Sequence, residues 1–162
     1  MALRTLKRRR RENRTDYKAR RILLTSGLPR IVVRKTNKYF ILQAVESDEA
    51  QDKVLATITS KDLLKNGWDA KAGGSLKSVP AGYLTGMLFA KKLGGKGKYI
   101  MDLGMARTFK GGRVFAVVKG LIDGGLDIPA NEKVFPTEER LNGEHMKDDV
   151  KAMIAKVKEA LK

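Results

Sequence analysis

RIVVRK (residues 30–35), TNK (36–38) and YFILQAV (39–45) read as two strands and the turn that joins them. Ile31-Val32-Val33 sets three β-branched side chains in a row, which suits a pleated, half-buried backbone better than a helix. Three polar residues then separate it from a second apolar run, a spacing that turns the chain back antiparallel. A polar loop over 46–52 leads to KVLATIT (53–59), a third strand, and the short connections make the three an antiparallel meander.

Downstream, Ser60 is the expected cap of a short helix over 61–65, stopped by Asn66-Gly67. Residues 68–78 form a Gly-rich basic loop. Pro80 fits the first helical position, and Tyr83, Leu84, Met87 and Leu88 recur at helical spacing up to about Leu93. Lys91-Lys92 suit the negative end of that helix, and Gly94-Gly95 breaks it. YIMDL (99–103) is a fourth strand, followed by a loop over 104–112 and a helix from about Arg113 to Gly124. A helical crossover that returns to a parallel strand should be right-handed. The fold class is therefore α/β: a mixed sheet in which the three-strand meander is joined by a helical crossover to a fourth strand.

The chain ends differently. Residues 125–129 are a turn, 137–141 a short helix stopped by Asn142-Gly143. Val150, Met153, Ile154, Val157 and Leu161 mark one face of a last amphipathic helix, expected to pack on the domain or on a partner. Upstream of the meander, Thr15 is the expected cap of a helix through Tyr17, Arg20, Arg21 and Leu24, stopped by Ser26-Gly27-Leu28-Pro29. Residues 1–14 are too charged to bury anything and read as an extended arm that orders on binding. The expected organisation is a basic arm (1–14), an α/β domain (15–128) and a helical extension (129–162).

Charge is distributed as unevenly as hydropathy. Of 162 residues with a net charge of +16, the first 38 hold fourteen Lys and Arg against two acids, a net +12, while the last forty are slightly acidic. Such crowding is costly alone and favourable beside a polyanion. Arg4, Lys7, Arg8, Arg9, Arg10, Arg11 and Arg14 supply forked or flexible cations on the arm, suited to phosphates. Lys18, Arg20 and Arg21 extend them along the helix, with Lys18 and Arg21 about one turn apart. Arg34, Lys35, Asn37 and Lys38 cluster at the hairpin tip. Lys71, Lys77, Lys110 and Arg113 flank glycines, which let a backbone approach a phosphate closely. Tyr17 lies within this basic region, as does Tyr39. Either they stack on unpaired bases or they are half-buried core tyrosines.

Other chemistries find little support. There is no cysteine, so no disulfide, zinc ribbon or thiol nucleophile. No apolar run reaches membrane length, and the N-terminus lacks the apolar stretch of a secretory signal. No Walker-type loop or nucleophile elbow is present; Gly94-Gly95-Lys96-Gly97-Lys98 lacks the following Ser or Thr. His145 is the only histidine and has no metal-ligand partner at useful spacing. Asp102 sits on a strand without convergent acids, and Asp48, Glu49 and Asp52 read as a solvated loop. No metal and no cofactor are expected.

Several blocks in order resemble one family. Arg8-Arg9-Arg10-Arg11-Glu12-Asn13-Arg14-Thr15-Asp16-Tyr17 and Pro29-Arg30-Ile31-Val32-Val33-Arg34-Lys35-Thr36-Asn37 look like the opening of the archaeal-type large-subunit ribosomal protein of the L-eighteen family, whose eukaryotic member is called L-five. Pro80-Ala81-Gly82-Tyr83-Leu84-Thr85-Gly86, Gly112-Arg113-Val114-Phe115-Ala116, Gly125-Leu126-Asp127-Ile128-Pro129 and Gly143-Glu144-His145 resemble its later blocks. Residues 104–110 depart from the pattern, and 94–98 look shortened. The resemblance implies a cytoplasmic, non-enzymatic ribosomal protein of the translation machinery that binds 5S rRNA. It further implies help in attaching that RNA to 23S rRNA at the central protuberance, beside the L-five-type protein of bacterial nomenclature. It implies no small-molecule substrate and no membrane contact. A general nucleic-acid packaging protein and an RNA-processing enzyme are the alternatives from other classes.

Overall fold

The structure, a computed structural model, describes residues 5–48, 51–69 and 76–161. In chain order the elements are α1 (Arg8–Arg11), α2 (Tyr17–Thr25), β1 (Arg30–Lys35), β2 (Phe40–Asp48) and β3 (Gln51–Thr59). A 3-10 helix (Ser60–Asn66), α3 (Val79–Lys92), β4 (Ile100–Asp102), α4 (Arg113–Asp123), α5 (Glu138–Asn142) and α6 (Asp148–Leu161) follow. The sheet has the order β3-β2-β1-β4. β2 is antiparallel to both β1 and β3, and β1 is parallel to β4. The mixed sheet with its crossover through α3 is thus as the sequence predicts.

Register follows hydropathy. Ile31 faces Ala44, Val33 faces Leu42, and Leu42 faces Ile58, so one face of the sheet is continuously apolar. With Phe40 these residues are buried against Phe89 of α3 and Val117 and Leu121 of α4. α3 and α4 approach until their backbones touch. A Cβ on Gly120 would lie 2.0 Å from the Tyr83 carbonyl oxygen, and one on Gly86 2.4 Å from that of Val117. Glycine is required there by space rather than by φ. A second cluster joins Leu63, Trp68 and Leu84 to Leu141, Ile154 and Val157, so the stripe of α6 packs on the domain itself. Each fully buried aliphatic side chain of this kind contributes about 1.5–3 kcal/mol.

Several local expectations are corrected. Within the expected polar loop over 46–52, residues 46–48 and 51–52 are instead strand: pairing runs on through Ser47 with Asp52 and Asp48 with Gln51, past an irregularity at Ala44/Val45. Two of its polar side chains, Ser47 and Asp52, are held by arginines. The cap of α2 is Asp16, not Thr15; its carboxylate accepts from the N–H groups of Lys18 and Ala19, where a negative charge also suits the helix dipole. The cap of the 3-10 helix is Thr59, paired reciprocally with Asp62. Ser60 turns inward, accepting from the Phe40 N–H and donating to the Leu76 carbonyl. Val79 precedes Pro80 in the first turn of α3, with Ser78 as cap.

Candidate nucleic-acid interface

The arm is more structured than its charge suggests. Residues 8–11 form one helical turn, not an extended chain: the N–H groups of Arg10 and Arg11 bond the Lys7 carbonyl, and arginine is a good helix former. Glu12 tethers this turn by pairing with Arg8 at 3.9 Å and Arg14 at 3.3 Å. The Arg9 Nε donates to Thr15 Oγ1 at 2.9 Å, and the Lys7 ammonium sits 4.5 Å from the Tyr17 ring centre. The arm therefore folds back beside α2, so that Lys7 shares a surface groove with Arg20 and Arg21. A cleft of about 400 Å³ separates Arg9, Arg14 and Arg20 from Arg34 and Asp102 at the β4 edge. α2 itself buries no residue, and Ile22 and Leu24 remain exposed.

Beneath α2 lies a feature the sequence did not disclose. Asp52 Oδ2 receives Arg20 at 2.8 Å and Arg30 at 2.6 Å. Arg30 reaches on to Asp102 at 3.8 Å, and Asp102 binds Arg34 at 3.0 Å. Ser47 hydroxyl donates to Asp52 and accepts from Arg30. Three arginines and two aspartates thus alternate across the sheet, with Arg30 only 5% exposed. Burial would raise the Asp52 carboxyl. Hydrogen bonds from Ser47, Arg30 and Arg20, with the Arg30 charge, outweigh that and hold it down at about 2. Asp52, expected in a solvated loop, is a linchpin, and Arg30 was missed because a strand-opening arginine gives no burial signal. The spacing of Asp52 from Arg20 and Arg30 shows nothing without the hairpin register.

The remaining candidates gather at the sheet end where β1, β3 and β4 finish. Lys35, Asn37 and Lys38 are exposed at the hairpin. The link from Phe40 through Ser60 to Leu76 brings half-buried Lys77 to the same end. Lys110 and Arg113 are exposed at the start of α4. The open α/β arrangement favours ligands at this end of the strands. Tyr17 and Tyr39 are both half-buried, each with a lysine over its ring, Lys61 in the case of Tyr39. Arg4 and Lys71 lie outside the described residues. Arg34 differs from the rest of its group, since its guanidinium is committed to Asp102.

Nothing described resembles an enzyme centre. No group of three metal-binding side chains converges among the described residues. The Tyr83 hydroxyl is pushed well up by burial and by its bond to Asp123, away from nucleophilic use at neutral pH. No described helix is long and apolar enough to cross a membrane.

Comparison with known proteins accounts for this arrangement. The model of the family "Ribosomal large subunit proteins 60S L5, and 50S L18" matches residues 2–99 and 94–131. The chain belongs to this family. It is 49% identical to the large ribosomal subunit protein uL18 of Methanoculleus marisnigri, over 86% of this chain and 78% of that protein. With the uL18 of Methanoregula boonei it shares 46% over 86% and 79%. The uL18 of Caldivirga maquilingensis is also 46% identical, over 86% and 67%. A large-subunit ribosomal protein of the L18 family is a structural part of a ribonucleoprotein, which suits a chain with an open cationic side and a closed apolar core.

Proposed function

We propose that this protein binds 5S rRNA and helps attach it to 23S rRNA at the central protuberance, without catalysis. One observation carries the reading: Arg10, Arg11, Lys18, Arg21, Lys35, Lys38, Lys110 and Arg113 have no carboxylate partner among the described residues, although the fold pairs other arginines closely. Unpaired cations on one chain repel each other and gain most from phosphates at regular spacing. Phosphate contacts from the arm and α2 supply affinity, and the hairpin and loops read RNA shape and unstacked bases. The neighbouring L-five-type ribosomal protein is the expected protein contact.

The test is binding and footprinting on a 5S rRNA transcript, with duplex DNA as competitor at matched salt. The full chain should prefer the RNA strongly, and its affinity should fall steeply with salt. A chain starting at Thr15 should bind weakly with a shallower salt slope. Equal affinity for duplex DNA would support a general packaging protein and defeat the reading.

A further inference from the structure

We propose that Phe109 is a stacking platform for a single unpaired RNA base, whose flanking phosphates are held by Lys35, Arg107, Lys110 and Arg113. The inference rests on the RNA-binding reading above and adds the subsite and its ligand chemistry. Phe109 is 57% exposed, an unusual position for a phenylalanine with no polar tip to solvate. It is nevertheless fixed. The Gly112 N–H donates to the Phe109 carbonyl at 3.0 Å, and the Gly111 N–H ties the loop to the Val134 carbonyl at 2.9 Å. The ring lies on the Gly112 backbone: a Cβ there would come within 3.4 Å of its Cε2 and Cζ. An ordering cost that a free loop would meet on binding is thus already met.

The ring borders a groove of about 300 Å³ that also touches Lys35, Arg107, Arg113 and Phe115. That volume is at the lower end of small-ligand sites. No carboxylate lines it, and none of Lys35, Arg107, Lys110 or Arg113 has an ion-pair partner among the described residues. An apolar protein segment laid on Phe109 would strip water from these cations without replacing it. A nucleotide matches both parts at once, offering a flat π face to the ring and phosphates to the cations. The base must be unpaired, because within a helix both of its faces are covered by neighbours.

The test compares the full-length protein with Phe109→Ala, Phe109→Leu and Phe109→Trp on a 5S rRNA transcript. Because Phe109 is exposed, all four should show the same circular dichroism and melting temperature. Phe109→Ala should weaken binding about 10-fold, within the roughly 5- to 100-fold range of a lost base–aromatic stack. Phe109→Leu should lose nearly as much, since it keeps bulk without a π face. Phe109→Trp should retain affinity, and its emission should be quenched by the RNA. The salt slope should be unchanged by Phe109→Ala but reduced by about 0.7–0.9 in Lys110→Ala or Arg113→Ala. Binding of Phe109→Ala or Phe109→Leu within two-fold of wild type would overturn the platform while leaving RNA binding intact. Absence of salt-sensitive binding by the wild type would overturn the RNA reading beneath it.

Discussion

Arg20, Arg30 and Arg34 alternate with Asp52 and Asp102, whereas Arg10, Arg11 and Arg113 face no carboxylate among the described residues. The residue type is the same and the physical role is opposite. In the first set the fold delivers an anion to each guanidinium, and the charges fasten α2 and the β4 edge to the sheet. In the second no described residue delivers an anion, and the field of these cations stays uncompensated by the described part of the fold. Counting arginines therefore overstates the proposed interface; subtracting those that the fold has already neutralised sharpens the proposal.

The hardest blow to the comparison would come from Arg30→Ala. Removing this buried guanidinium leaves Asp52 and Asp102 partly desolvated without their shared cation, an expected loss of about 3–5 kcal/mol. Urea unfolding would read it as a lower midpoint, and a variant as stable as wild type would make the ladder ornamental. Neutralising Arg8, Arg9, Arg10 and Arg11 to Gln should leave that midpoint nearly unchanged. RNA affinity should instead fall on the order of 10²–10³-fold near 0.1 M salt, with the slope of log K against log salt shallower by about 2–3, because Arg8 is already paired with Glu12.

Acid titration reaches the paired set through its carboxylates. The Asp52 carboxyl lies below its ordinary 3.8, at about 2. Its stabilising effect is complete above pH 4 and is lost as pH falls from about 4 through 2. Since its side chain is about a third exposed (34%), solvent screening leaves about 1–2 kcal/mol at neutral pH. Asp52→Asn should lower the melting temperature at pH 7 and flatten this limb of the stability curve; an unaltered limb would assign acid unfolding to other groups.

The smallest contrast is between Arg34→Ala and Arg113→Ala. The first should cost about 1 kcal/mol of stability with little change in RNA affinity, because its guanidinium is held by Asp102. The second should be silent in unfolding and weaken RNA binding several-fold. Reversal of the two would place Arg34 in the interface and break the rule that paired arginines are spoken for.

Much of the architecture was legible because local signals agreed. Three apolar strands with short connections, Pro80 and Gly94-Gly95 around one helix, and the stripe of α6 each point to one structure. The arm was legible as charge but not as shape: that Lys7 would cover Tyr17 and Arg9 reach Thr15 depends on a turn which a run of arginines does not announce. Phe109 escaped notice because an isolated aromatic in a loop looks like core until its exposure is known.

By itself the sequence determined the periodicities that make strands and helices, and the excess of cations at one end, since both depend only on which residues are near in the chain. Tertiary structure alone decided which cations remain available. Asp52 and Asp102 come from different strands, and electrostatic pairing falls steeply with distances that only the folded sheet sets.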